Sequence, residues 1–344
     1  MMTEQKFEPE LAGYKAVGKL YNALMTGLVL TLVSQKNVGA ARDFVFAHFR
    51  RQHLEKFLPG LKKLGLDGLP DAVACAQYHY FSNALGGVKT EYMAEADNKA
   101  WVRYPPPRWI WQGTAICGVP REVNEAMLHG WHGHNGVSLG NPRLGFVCTG
   151  QTVNGDPGLE GYYFDYGREI APEERVRFAP DEHMPLYDAA AAPVLPSTDW
   201  PLERLQKVER SYAMEYVRSL LPATQELFGA REGSALVART AKLIGLQFYE
   251  DTAALLGIAP GGAENFARYL EILAAAQGEN VTRSGAELSQ TGWRLMKDVT
   301  LADDDAAFVA WNGLWEGALA AHDRHLKLHT SRKGENIHWR VTKA

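Results

Sequence analysis

Ala94-Glu95-Ala96-Asp97-Asn98-Lys99-Ala100-Trp101 and Ala286-Glu287-Leu288-Ser289-Gln290-Thr291-Gly292-Trp293 carry alanine, glutamate and tryptophan at one shared spacing. Each stretch leads into a tryptophan-containing helical pattern and then strand-like segments, so the chain reads as one unit written twice. The echo is chemically uneven. The first copy continues into His129-Gly130-Trp131-His132-Gly133-His134-Asn135-Gly136, whereas the second has Trp311-Asn312-Gly313-Leu314-Trp315-Glu316-Gly317 at the corresponding place. If one copy kept its chemistry, the histidines point to the first.

Three helical patterns precede the first echo. Val17, Leu20, Tyr21, Leu24, Met25, Leu28 and Leu32 recur at the spacing that buries one helix face. Ala40 to Leu64 continues helically with a break expected at Pro59-Gly60, and Asp71 to Leu85 is a third helix ended by Gly86-Gly87. The period then changes. Glu91 to Ala94 and Ala100 to Tyr104 read as strands joined at Asp97-Asn98, with Pro105-Pro106-Pro107 stopping the second because proline has no ladder donor. Pro120 opens a helix through Trp131 or His134, and Leu144 to Thr149 and Tyr162 to Tyr166 form a second hairpin.

From 201 the same order returns: helices at Leu202 to Leu221, Arg231 to Leu256 and Gly262 to Ala276, a hairpin from Val281, a tryptophan helix from Phe308 to Leu319, and strands at Leu326 to Thr330 and Ile337 to Val341. Between the copies lies a stretch rich in charge, proline and alanine, whose Ser197, Thr198 or Asp199 is expected to cap the next helix. The expected class is α+β, a tandem duplication with helices packed on antiparallel sheets. The expected divisions are a first unit 1–167 with the candidate active site, a linker 168–200, and a degenerate second unit 201–344. Such a chain would be a pseudo-dimeric monomer or form homo-oligomers.

With 344 residues and 46% hydrophobic content the chain has enough apolar surface for two cores. A net charge of -4 offers no broad cationic surface, so no nucleic-acid partner is expected. Cys75, Cys117 and Cys148 match neither a zinc knuckle nor a disulfide framework, which suits a reducing cytoplasm. Met1 to Glu10 lacks the features of a secretory signal, and the apolar run Ala23 to Val33 is about half the ~20 residues a membrane span needs. That run reads as a buried helix, with no membrane partner expected.

The segment Thr90 to Arg103, a helix containing Gly130-Trp131, then Arg143-Leu144-Gly145-Phe146 and Gly155-Asp156-Pro157 before Tyr162-Tyr163-Phe164 resembles the vinyl-reductase-like, hydrocarbon-binding superfamily. Within it, the L-2-amino-thiazoline-4-carboxylic acid hydrolase-like proteins look nearest. The resemblance covers roughly residues 15 to 166 and implies an α+β pocket for a small organic molecule, with a hydrolytic or a sensing role. Where many members have a cysteine after the Gly-Asp-Pro turn, Gly158, Leu159 and Glu160 stand here, which argues against a cysteine-dependent metal or redox site.

On a continuous helix Glu125, His129 and His132 would share one face at i, i+4 and i+7, a pattern suited to general acid/base work, with His134 beside them. The same groups, with Cys148, are the candidates for a bound metal, against which stands a merely solvated His-rich surface. Glycines 130, 133 and 136 cost that helix about 1 kcal/mol each, a cost explained by close approach of a ligand or of another helix. Tyr78 and Tyr80, in a polar-aromatic cluster with His79, Ser82 and Asn83, are candidates with Asn135 and Trp131 for lining a pocket, Trp109 and Trp111 for covering it, and Arg103 or Arg108 for clamping a carboxylate. Cys117 reads as an inert thiol, and Glu316, His322, His325 and His329 as a weak counterpart in the second copy. No phosphate loop, nucleophile elbow or His-Glu-x-x-His motif occurs.

The expected function is therefore a hydrolase or lyase, without a cofactor or metal, cleaving a small aromatic or cyclic organic acid or alcohol by histidine acid/base catalysis. The alternatives are a protein that binds or senses a hydrophobic small molecule without turnover, and a metal-dependent hydrolase using the same histidines.

Overall fold

A computed structural model describes residues 9–195 and 197–344. Residues 1–8 of the polar N-terminal stretch and Pro196 of the expected linker lie outside the described residues. The protein is α+β, with helices packed on two sheets. It divides into a first unit, Val29–Trp200, and a second unit made of the chain up to Leu28 together with Pro201–Ala344. The division thus falls inside the first helix instead of before it, and 168–200 belongs to the first unit.

Helix α1 (Pro9–Gln35) is by length and composition apolar enough to cross a membrane, longer than the run Ala23 to Val33 suggested. Its Leu20, Leu24, Met25, Leu28 and Leu32 are fully buried inside the protein, the arrangement of a core helix. In the first unit follow α2 (Val38–Lys63), α3 (Asp71–Leu85), β1 (Glu91–Ala96), β2 (Lys99–Tyr104), α4 (Arg121–Gly130), the short α5 (Asn135–Leu139), β3 (Leu144–Gly150), β4 (Leu159–Asp165) and β5 (Val176–Phe178). Asn37 caps α2 by accepting from the Ala40 backbone N–H at 2.8 Å. The break expected at Pro59-Gly60 is absent. A proline four residues from a helix end removes a single backbone bond, and the Leu64 N–H still reaches the Gly60 carbonyl.

The sheet order is β1-β2-β4-β3-β5, antiparallel except for β5, which runs parallel to β3. This three-residue strand lies in the expected linker. It is too short to show a period, and only its buried Val176 ties it to the core.

The second unit holds α6 (Leu202–Phe228), α7 (Ala230–Leu255), α8 (Ala263–Ala276), β6 (Asn280–Ser284), β7 (Glu287–Thr291), α9 (Asp304–His322), β8 (Leu326–Lys333) and β9 (Asn336–Lys343). Helix α6 runs through Pro222, and its start at Pro201 has no side-chain cap, contrary to the expected role of Ser197, Thr198 or Asp199. The strand order β6-β7-β9-β8 repeats that of β1-β2-β4-β3, while the first unit has in addition α5 and β5. The Ala-Glu-Trp echo itself is not structurally equivalent. Ala94 and Glu95 lie inside β1 and Trp101 in β2, whereas Ala286 sits in the β6–β7 turn and Trp293 beyond the end of β7.

The correspondence lies in the helix crossings. A Cβ on Gly130 of α4 would stand 2.7 Å from the Phe46 carbonyl oxygen and 3.2 Å from the Arg50 nitrogen of α2. A Cβ on Gly317 of α9 would stand 1.9 Å from the Lys242 carbonyl oxygen and 2.9 Å from the Leu246 nitrogen of α7. In both units the glycine meets a carbonyl and the amide four residues further on. Gly245 of α7 returns the contact, 1.9 Å from the Leu314 carbonyl oxygen. Gly133 packs instead on Val176, and Gly136 on the carbonyls of Asn141 and Leu144, so close packing explains all three glycines of the histidine segment.

Gly317→Ala is expected to lower stability in urea unfolding by more than about 3 kcal/mol, since backbone must move to admit the methyl group. Gly18→Ala in α1, where nothing lies within 4 Å of the added atom, is expected to raise stability by about 0.5–1 kcal/mol. Equal effects from both would contradict the crossing geometry.

Candidate functional site: a buried histidine chain in the first unit

Helix α4 ends at Gly130 to fit against α2, and a 3-10 turn, His132–His134, follows. The helical face expected to hold Glu125, His129 and His132 together is therefore broken, and the three side chains have different surroundings. Glu125 bonds Arg121 at 2.5 Å and Gln151 at 3.3 Å, and neither contact is with a histidine. The half-buried His129 ring lies 6.4 Å from that of Phe178. His132 turns inward and is 6% exposed. His134 is half-buried, with its Nδ1 2.8 Å from the His129 carbonyl oxygen and its ring edge-on to Phe46.

What the fold assembles around His132 comes from α2, α3, the α4–α5 turn and β4. Arg50 Nη1 lies 2.7 Å from His53 Nδ1, His53 Nε2 3.1 Å from Asn135 Oδ1, Asn135 Nδ2 2.8 Å from Tyr163 Oη, and Tyr163 Oη 2.6 Å from His132 Nδ1. A guanidinium can only donate, so His53 accepts at Nδ1 and carries its proton on Nε2. That proton goes to Asn135 Oδ1, the amide donates to Tyr163, and the tyrosine hydroxyl is hydrogen-bonded to His132 Nδ1.

His79 of α3 lies flat on His132, with ring centroids 4.2 Å apart and planes at 14°. Burial disfavours the charged form of these rings: it pushes His132 down to about 3 and His53 to about 3, and holds His79 well below its ordinary value with the neighbouring His132 adding to the effect. His48, buried one turn before Gln52 on α2, is also pushed down to about 3. Burial raises the Cys75 thiol, which lies against Asn135, and it raises the Tyr163 hydroxyl. Trp131 stands edge-on to His53 and His79 and lies near-parallel to Tyr78, which itself meets Phe57 edge-on. Two nitrogens on this wall, His79 Nε2 and Trp131 Nε1, are buried without a hydrogen-bond partner. An unmet buried polar atom costs about 1–3 kcal/mol. Trp293 Nε1 in the second unit is also unpartnered. The pair in the first unit differs in flanking a hydrogen-bonded chain of imidazoles.

Of the expected pocket residues, Tyr78, Trp131, His132 and Asn135 meet here, and Arg108 lies within electrostatic reach of His132 with its guanidinium over the Tyr104 ring. Arg103 does not join them: it pairs with Glu91 at 2.7 Å and Glu160 at 3.5 Å. Tyr80 faces Tyr92. Trp111, expected to cover a ligand, is a core residue whose indole N–H donates to Asn124 at 3.0 Å, while Trp109 is half-buried. Sequence reasoning missed His53, Arg50, Cys75 and Tyr163, and placed His79 only in a general aromatic cluster. A usable signal existed on α2, where His48, Gln52 and His53 place polar residues on the stripe that Phe44, Val45 and Phe57 bury. Among the described residues no three His, Cys, Asp or Glu side chains converge as metal ligands. A concavity of about 450 Å³ lies on the sheet of the second unit.

Comparison of the chain with protein-family models, with curated proteins and with solved structures finds no match in any of the three.

Because His48, His53 and His132 protonate at about 3 in the folded protein and at their ordinary value of ~6.5 when unfolded, the unfolded state binds more protons between those limits. Folding stability is expected to be full above pH ~6.5 and to fall as pH drops toward 3, by up to about 1.4 kcal/mol per pH unit for each such histidine. His132→Asn should flatten this slope. Stability that stays level between pH 6.5 and 4 would show that the rings are not buried neutral.

Proposed function

We propose that the first unit binds a small aromatic or cyclic organic acid or alcohol against the stacked imidazoles and cleaves it, as a hydrolase or lyase, by histidine acid/base catalysis without a cofactor. The observation that carries this reading is the pair of unpartnered buried nitrogens, His79 Nε2 and Trp131 Nε1, on one aromatic wall. A ligand carrying one acceptor and one exchangeable proton would satisfy both.

In this reading His79 is the base, since burial keeps it unprotonated at neutral pH and its Nε2 has no other duty. The proton that His79 takes up is the one it returns to the leaving oxygen, while neutral His132, whose Nδ1 lies 2.6 Å from the Tyr163 hydroxyl, serves only as a hydrogen-bonding partner of that oxygen. Arg50, His53 and Asn135 position Tyr163 and through it His132. Tyr78 and Trp131 face the ring of the ligand, and Arg108 balances a carboxylate. The histidine roles thus move from His129 and His134 to His79. The resemblance to the hydrocarbon-binding superfamily supports the same class of ligand.

A second reading, binding without turnover, draws on the same two unpartnered nitrogens and aromatic wall, with no proton transferred. The two separate experimentally with p-nitrophenyl benzoate as substrate and benzoate as ligand. The enzyme reading expects saturable hydrolysis that falls at least about 100-fold in both His79→Gln and His132→Gln and stays near wild type in His129→Gln. Benzoate quenching of tryptophan fluorescence that is lost in Trp131→Phe, with no turnover, would favour binding alone. Neither quenching nor turnover would remove this wall as a ligand site.

A further inference from the structure

The sheet of the second unit turns one face to the core and the other to solvent. On the core side Leu288, Ile337, Trp339 and Val341 are buried, and every second residue between them is exposed. Cross-strand register then lines up two adjacent rows on the exposed face. Glu287 of β7 pairs with Arg340 of β9, which pairs with His329 of β8; Ser289 pairs with His338, which pairs with Ser331. Glu287, His329, Ser331, His338 and Arg340 of these rows, with Thr342, Leu288, Thr330 and Trp339, line a concavity of about 450 Å³, a volume in the usual range for small-molecule sites.

We infer that this face binds a phosphorylated polyol, such as a sugar phosphate, with the phosphate on Arg340, His338 and His329 and the hydroxyls on Ser289, Ser331 and Thr342. Two observations select that chemistry. The first is charge: Lys327, His329, Lys333, His338 and Arg340 all lie on this face, against a single carboxylate, Glu287, whose Oε1 lies 2.8 Å from Arg340 Nε. That bond leaves the terminal nitrogens of the guanidinium for a bidentate contact with phosphate oxygens. The second is the lining. Hydroxyls and imidazoles alternate across the rows, Ser289 being bonded to His338 at 3.0 Å and His329 to Thr342 at 3.0 Å, so each imidazole is already oriented by a hydroxyl neighbour. The hydroxyls of Ser331 and Thr342 beside these cations supply donors and acceptors for a polyol.

This site lies within the second unit and is independent of the imidazole wall of the first, so neither proposal stands or falls with the other. Titration calorimetry on the full chain with ribose 5-phosphate, with ribose and inorganic phosphate as comparisons, tests it. Saturable binding with a Kd below about 1 mM is expected for ribose 5-phosphate, at least about tenfold weaker in each of Arg340→Gln and His338→Gln while circular dichroism shows both variants folded. Absence of binding overturns the proposal, as does unchanged affinity in either folded variant. Ribose bound as tightly as its phosphate would overturn the role of the cations, and inorganic phosphate bound as tightly would overturn that of the hydroxyls. Should both variants fail to fold, Ser331→Ala replaces them, with a loss of about threefold or more expected and wild-type affinity counting against the site.

Discussion

Each unit is organised by one steric constraint, the approach of two helices to backbone contact at a glycine. Where the Cβ of Gly317 would be, the Lys242 carbonyl oxygen is only 1.9 Å away, and Gly130 stands 2.7 Å from that of Phe46. Such contact fixes the rotation and translation of one helix against the other more tightly than side-chain interdigitation does. Residues further along the chain from each contact are then brought opposite one another. Seven residues beyond Phe46 is His53, and five beyond Gly130 is Asn135; these two are hydrogen-bonded. Seven residues beyond Lys242 is Tyr249, and five beyond Gly317 is His322; these are hydrogen-bonded too. The same construction thus carries a buried polar link at the same place in both units, with different residues.

Polar atoms so placed need partners, and the two units meet that need differently. In the second unit His322 uses Nδ1 on Tyr249 and Nε2 on the Gly262 carbonyl, and the link closes there. In the first the link passes on, from His53 through Asn135 to Tyr163 and His132, and ends against His79. Burial holds the imidazoles along it below their ordinary value, because the charged form would lose its hydration.

Much of the architecture was legible because helix and strand periods differ and prolines and glycines punctuate them. The order of helices and hairpins in both halves followed from residues such as Leu20, Leu24 and Leu28, or Pro105 to Pro107. What was not legible had local physical causes. Pro59 and Pro222 were absorbed by their helices, β5 was too short to show a period, and the Ala-Glu-Trp echo fell on residues that occupy different places in the two hairpins. The site was half legible. His132, Asn135, Trp131 and Tyr78 could be named, but the face drawn through Glu125, His129 and His132 assumed a helix that Gly130 ends. His53 and Tyr163 are 82 and 28 residues away from Asn135, and only the crossing and the sheet bring them together.

The asymmetry between the units bears on why a polar chain would be kept in a core at all. Replacing both partners of a buried hydrogen bond by apolar groups of the same shape is often nearly neutral for stability, so a five-member chain is not demanded by packing. The second unit shows a shorter solution at the same crossing, with His322 satisfied by one hydroxyl and one carbonyl. The first unit carries in addition a second imidazole stacked on the end of its chain and two nitrogens that no protein atom meets. Those features add cost without adding cohesion, which is the pattern expected where structure is held ready for a ligand.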